Sequence, residues 1–92
     1  MAPLTPEPLA AKIRALRGWE QHGDELRKTF TLPSFPAAIA FVTQVGFLAE
    51  AANHHPDIDI RYDRVRLGLW THVAGGITQY DVELAHHIDA LV

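Results

Sequence analysis

The chain has 92 residues, 48% of them hydrophobic and 21% charged, a formal net charge of −3 and no cysteine. A chain of this size and balance folds, as one domain over residues 1–92, with a core small enough that a partner subunit adds useful burial. The lack of cysteine excludes disulfides, thiolate nucleophiles and zinc–thiolate sites, and an acidic balance without a dense basic stripe argues against direct nucleic-acid binding.

The opening MAPLTPEPLAAKIRAL has no basic segment leading into an apolar run. No uncharged stretch is read as long enough to span a bilayer, so the expectation is a cytoplasmic protein without membrane contact. Thr5-Pro6-Glu7-Pro8 reads as a helix entrance, with Thr5 as the cap; Leu9, Ile13 and Leu16 then share a face, and Gly18 is the stop. Trp19–Gln21 and Glu25–Leu32 flank His22-Gly23-Asp24, which reads as a hairpin turn, with Leu26, Phe30 and Leu32 on one strand parity.

From about Ser34 the period becomes helical. Ala38, Phe41, Val42, Val45, Leu48, Ala49 and Ala52 form one wide apolar face, and Pro56 forces the helix to release near His54. Ile58, Ile60 and Tyr62 then alternate with polar residues, and Val65, Leu67, Leu69 and Thr71 alternate with Arg66, Gly68, Trp70 and His72, which predicts two paired strands with Tyr62 in the core. Gly75-Gly76 turns the chain, and Thr78 with Asp81 forms a capping box for a last helix burying Leu84, Ile88 and Leu91. The order α-β-β-α-β-β-α implies an α+β fold: a four-stranded antiparallel sheet with three helices packed on one face.

The chemistry centres on EAANHHP, Glu50 to Pro56. Glu50 and His54 are spaced i,i+4, so the carboxylate is expected to orient that imidazole at the helix C-terminus. His55 beside it has the bland reading of satisfying loose carbonyls at the helix end. His72 lies at the end of a strand that a short hairpin brings back towards the same place. A three-histidine metal site is the rival reading, but adjacent side chains on a helix diverge by about 100°, and no HExxH pairing supports it. His86-His87 read as surface or interface. There is no G-x-S-x-G elbow, and Gly75-Gly76 lacks a phosphate-binding pattern. Imidazole proton transfer, or no chemistry, remains.

With Glu50, His54-His55-Pro56, Tyr62, His72 and Asp81 at these intervals, the sequence resembles the pterin-4a-carbinolamine dehydratases, whose signature is acidic-x3-HHP-x5-aromatic-x9-His-x8-Asp. Gly18-Trp19, Phe30, Phe35, Thr71-His72 and the run Gly75-Gly76-Ile77-Thr78 extend the resemblance over most of the chain. The resemblance implies dehydration of 4a-hydroxytetrahydropterin to quinonoid dihydropterin, in tetrahydrobiopterin recycling, without metal or cofactor. It implies His54 and His72 as acid and base, His55 beside them helping to bind the pterin, and a homodimer or homotetramer. Glu50, Pro56, Thr71, Val73, Ala74 and Asp81 are then expected around the reduced pterin, Glu50 as orienter and Pro56 as the bend that brings the imidazoles to one cavity. Asp81 is explained by its capping box alone. Asn53 and Tyr80 stand where relatives carry acidic and basic residues. The alternative is a relative that keeps the fold for protein binding, as a dimerisation cofactor or assembly chaperone.

Overall fold

In the computed structural model, which describes residues 2–92, the elements follow the expected order. They are α1 (Pro6–Arg14), β1 (Glu20–His22), β2 (Glu25–Thr31), α2 (Phe35–Ala52), β3 (Asp57–Arg61), β4 (Arg64–Leu69) and α3 (Gln79–Asp89). Thr5 precedes α1 but makes no side-chain cap. Its carbonyl instead accepts the Leu9 N–H at 3.0 Å. Helix α1 ends at Arg14, short of Gly18, whose φ of +84° serves the later turn into β1.

His22 closes β1 rather than forming the turn, which is the pair Gly23-Asp24 with Gly23 at φ +62°. A two-residue hairpin loop needs left-handed backbone at its first position, and glycine adopts it without penalty. Tyr62 does the corresponding job between β3 and β4 at φ +57°, and its side chain is exposed, not in the core. The strand alternation therefore stops at Arg61, because a turn residue with positive φ no longer follows the pleat.

The sheet order is β1-β2-β4-β3, antiparallel throughout. Leu26 and Phe30 of β2, with Val65, Leu67 and Leu69 of β4, form the covered face. A single apolar cluster joins them to Leu9 of α1, Ala38, Phe41 and Val45 of α2, and Val82, Ala85 and Ile88 of α3. All three helices thus lie on one face. The other face carries Glu25, Arg27, Asp59, Arg64 and Arg66, paired in part as Arg27–Glu25 at 2.8 Å and Arg66–Asp59 at 3.3 Å.

Helix α2 corrects the expectation about apolar stretches. Thr29 to Ala49 contains no charged residue, and α2 is long and apolar enough by length and composition to cross a membrane, with a mean hydropathy of 1.5. Its apolar residues are split between two sides. Ala38, Phe41, Val45 and Ala49 pack inward, whereas Phe35, Ile39 and Phe47 are exposed. Ser34 starts the helix by accepting the Ala37 N–H on its hydroxyl at 3.2 Å.

Candidate functional site

The site begins with the way α2 ends. Asn53 adopts left-handed backbone, φ 50° and ψ 43°, and the N–H of His54 reaches back to the Ala49 carbonyl at 3.0 Å. This closes the helix with the long return bond typical of a left-handed cap, a position that tolerates asparagine after glycine. The chain turns away from the helix axis here, so His54 no longer continues the helical i,i+4 direction. Glu50 consequently pairs with His55, at 2.9 Å on the exposed surface, and not with His54 as expected.

His54 is held by Asp81. Its Nε2 lies 2.5 Å from Asp81 Oδ1, with the imidazole 16% exposed and the carboxylate fully buried. Asp81 Oδ2 accepts the Thr78 N–H at 2.8 Å and the Thr71 hydroxyl at 2.8 Å. The Thr71 and Thr78 hydroxyls are 2.7 Å apart, and Thr78 Oγ1 accepts the Tyr80 N–H at 3.3 Å. The hydroxyl protons then run in one direction: Thr78 donates to Thr71, and Thr71 donates to Asp81. A carboxylate surrounded by donors assigns the proton to His54 Nε2, which leaves Nδ1 as the nitrogen free for a ligand. Asp81 therefore has two roles. The capping box is real, and the same carboxylate anchors the histidine.

The other histidine is held differently. Thr71 forms a bridge with Gly76, its N–H donating to the Gly76 carbonyl at 2.8 Å, and Gly75 at φ +71° closes the intervening loop. Thr71 points inward to Asp81, so Trp70 and His72 on either side point outward together. Their rings stack with centroids 3.9 Å apart and planes 32° off parallel.

A cleft of about 420 Å³ is lined by Asn53, His54, His55, Trp70, Thr71, His72 and Val73. It adjoins a smaller hollow of about 290 Å³ lined by Ala52, Tyr80 and Val73 together with His54, Asn53 and Thr71. Of the expected site residues, His54, His55, His72, Thr71 and Val73 meet at this cleft, although the Thr71 hydroxyl is turned away from it. Glu50, Pro56, Ala74 and Asp81 lie outside its lining: Glu50 touches His55, Pro56 leads into β3, Ala74 sits in the Thr71–Gly76 loop and Asp81 is buried behind His54. Among the described residues, no three His, Asp or Glu side chains are grouped to hold a metal ion. His86 and His87 are exposed on α3.

Two residues escaped the sequence reading. Trp70 was visible only as one of the outward residues of a strand, although an indole two residues before His72 was the available signal. Asn53 looked like a lost acidic group; its place just past an apolar helix and before His-His-Pro was the sign of a left-handed cap. A further hollow of about 350 Å³ lies on the uncovered sheet face, but Thr29, Asp59, Arg61, Arg64 and Arg66 line it and no imidazole is present.

Comparison with known proteins gives the family and the fold. Residues 2–91 match the family model described as pterin 4 alpha carbinolamine dehydratase. A protein of Roseiflexus sp. (strain RS-1), whose pterin-4-alpha-carbinolamine dehydratase name is itself provisional, is 56% identical over 97% of this chain and 96% of its own length. A crystal structure from Brucella melitensis, described as a transcriptional coactivator/pterin dehydratase, superposes with a TM-score of 0.93 at 31% identity, covering 97% of each chain. A pterin dehydratase-like protein identified as a RuBisCO assembly factor shares the fold, with a TM-score of 0.70 at 24% identity over 82% of this chain and 89% of its own. The chain belongs to the pterin-4-alpha-carbinolamine dehydratase family.

Proposed function

We propose that this protein dehydrates 4a-hydroxytetrahydropterins to quinonoid dihydropterin and water, as a step in tetrahydrobiopterin recycling. The observation that carries this reading is that His54, anchored by the buried Asp81, and His72 open onto one cleft. The reaction breaks the C4a–O bond, removes the N5 proton and forms the N5=C4a double bond. One group must take a proton and another must give one, both near neutral pH, which suits imidazole.

His54 takes the N5 proton on Nδ1, and Asp81 supplies the counter-charge for the imidazolium that forms. His72, at the open side, delivers a proton to the departing hydroxyl. His55, steadied by Glu50, faces the same cleft and contributes to pterin binding. Thr71 holds Asp81 in place, and Val73 with Ala74 shapes the loop beside His72. The chemistry asks for no metal or cofactor. A cytoplasmic setting belongs to the same reading.

Self-association as a homodimer or homotetramer accompanies this function. Two features support it: β3 is a sheet edge with unpaired backbone groups, and Phe35, Ile39 and Phe47 leave an apolar strip along α2. That strip also favours the second reading, a protein-binding role without catalysis; the Brucella relative is described as a transcriptional coactivator as well as a pterin dehydratase.

The deciding experiment follows the decay of freshly generated 4a-hydroxytetrahydropterin by ultraviolet absorbance. Wild type should accelerate it, and His54→Ala or His72→Ala should remove most of the gain. A wild-type trace that coincides with buffer would transfer the function to the protein-binding reading. A reduced pterin analogue should also raise the melting temperature, because a ligand of the native state stabilises it.

A further inference from the structure

We propose that Trp70 is the positioning residue for His72: its indole face holds the imidazole in the orientation from which it transfers a proton. The catalytic half of this inference rests on the dehydratase reading; the structural half does not.

The two tryptophans of the chain are used in opposite ways. Trp19 is 3% exposed, sits in the core cluster, packs edge-on against Phe30 and donates its indole N–H to the Asp89 carboxylate at 3.1 Å. Trp70 is only half-buried and stands outside that cluster, and its indole N–H has no hydrogen-bond partner among the described residues. A large aromatic at such a place adds nothing to the core. Its close aromatic contact is with His72.

His72 has no other tether. Its side chain is exposed, and among the described residues it makes neither a hydrogen bond nor an ion pair, in contrast to His54 with Asp81 and His55 with Glu50. A free surface imidazole samples several rotamers, whereas proton transfer requires one geometry. The indole face supplies the missing restraint. At 3.9 Å and 32° the rings make an offset stack, and the same face attracts the ring by a cation–π contact once it is protonated.

The backbone beneath the pair is fixed independently. Thr71, between them, is tied by its hydroxyl to Asp81 at 2.8 Å and by its N–H to Gly76 at 2.8 Å. Trp70 and His72 are therefore presented from one immobile residue to the same side. The indole also lines the cleft beside His54.

The test combines proton NMR of the histidine rings with steady-state kinetics on wild type, Trp70→Phe and Trp70→Ala. Stacking under an indole shifts the His72 ring protons upfield; the shift should persist in part in Trp70→Phe and disappear in Trp70→Ala. In Trp70→Ala, kcat should fall about tenfold with KM within about twofold of wild type, as expected for misplacing a reacting group, and Trp70→Phe should recover most of it. Unshifted His72 protons in wild type would overturn the proposal. So would a Trp70→Ala enzyme that loses only in KM, since that marks a substrate contact and not a positioning residue. Should wild type prove inactive, the dehydratase reading fails and the NMR arm decides alone: an upfield shift abolished by Trp70→Ala supports the held ring, and its absence rejects it.

Discussion

His54 and His72 face the same cleft but are secured by opposite means. His54 is mostly buried and belongs to a saturated polar network of Asp81, Thr71 and Thr78, in which every buried polar side-chain atom is partnered. His72 is exposed and rests on an indole. The difference teaches that two groups of one site can be placed by two unrelated kinds of contact. On the first side, fold stability and site geometry are the same interactions; on the second they are separable.

Substitutions sharpen this contrast. Asp81→Ala should be the most damaging, because it removes the capping box and leaves three donors, from His54, Thr71 and Thr78, around an empty place. A loss of about 3 kcal/mol is expected for stranding these buried donors, read from the urea midpoint. Activity should fall with it.

His54→Ala comes next. It strands one oxygen of a fully buried carboxylate and should destabilise by about 2 kcal/mol. His72→Ala, by comparison, should stay within about 0.5 kcal/mol of wild type, as exposed positions do. Both should reduce the dehydration kcat by about 100-fold or more, the usual contribution of a positioned acid or base. If His72→Ala unfolded as readily as His54→Ala, the separation drawn between the two sides would be wrong.

A smaller effect is expected at the helix end. Asn53→Ala forces a Cβ-bearing residue without a compensating polar group into left-handed backbone and should cost about 1 kcal/mol, whereas Asn53→Gly should be tolerated. Thermal melts of the two variants side by side measure this without any assay. The smallest change belongs to Glu50→Gln. An exposed pair such as Glu50–His55 contributes about 0–1 kcal/mol, so stability should barely move, and any effect should appear in the KM for the pterin.

Much of the fold was legible locally. Strand alternation in β2 and β4, the apolar period of α2, the Ser34 entrance and the Thr78–Asp81 box are set by residues a few positions apart and appear where the pattern placed them, except that β4 ends at Leu69, leaving Thr71 in an isolated bridge and His72 in a turn. Errors fell where one backbone angle outweighs side-chain pattern. Tyr62 continued an alternation in the sequence but occupies a turn at positive φ. Thr5 differs: it has the extended backbone of a cap, but its side chain makes no cap bond and only its carbonyl contributes.

The sequence by itself determined the element order and the covered face of the sheet, because periodicity and spacing are properties of the chain; the histidines proposed for catalysis were singled out by the resemblance to the family. Partnership was decided only by tertiary structure. Asp81 lies 27 residues from His54, and nothing local says that a helix-capping carboxylate will meet a histidine beyond another helix's end. The left-handed turn at Asn53 swung His54 away from Glu50 and towards Asp81, and the Thr71 bridge aimed His72 and Trp70 to the same side. Each follows from docking α2, α3 and the end of β4 around one core, which brings distant side chains within hydrogen-bonding distance.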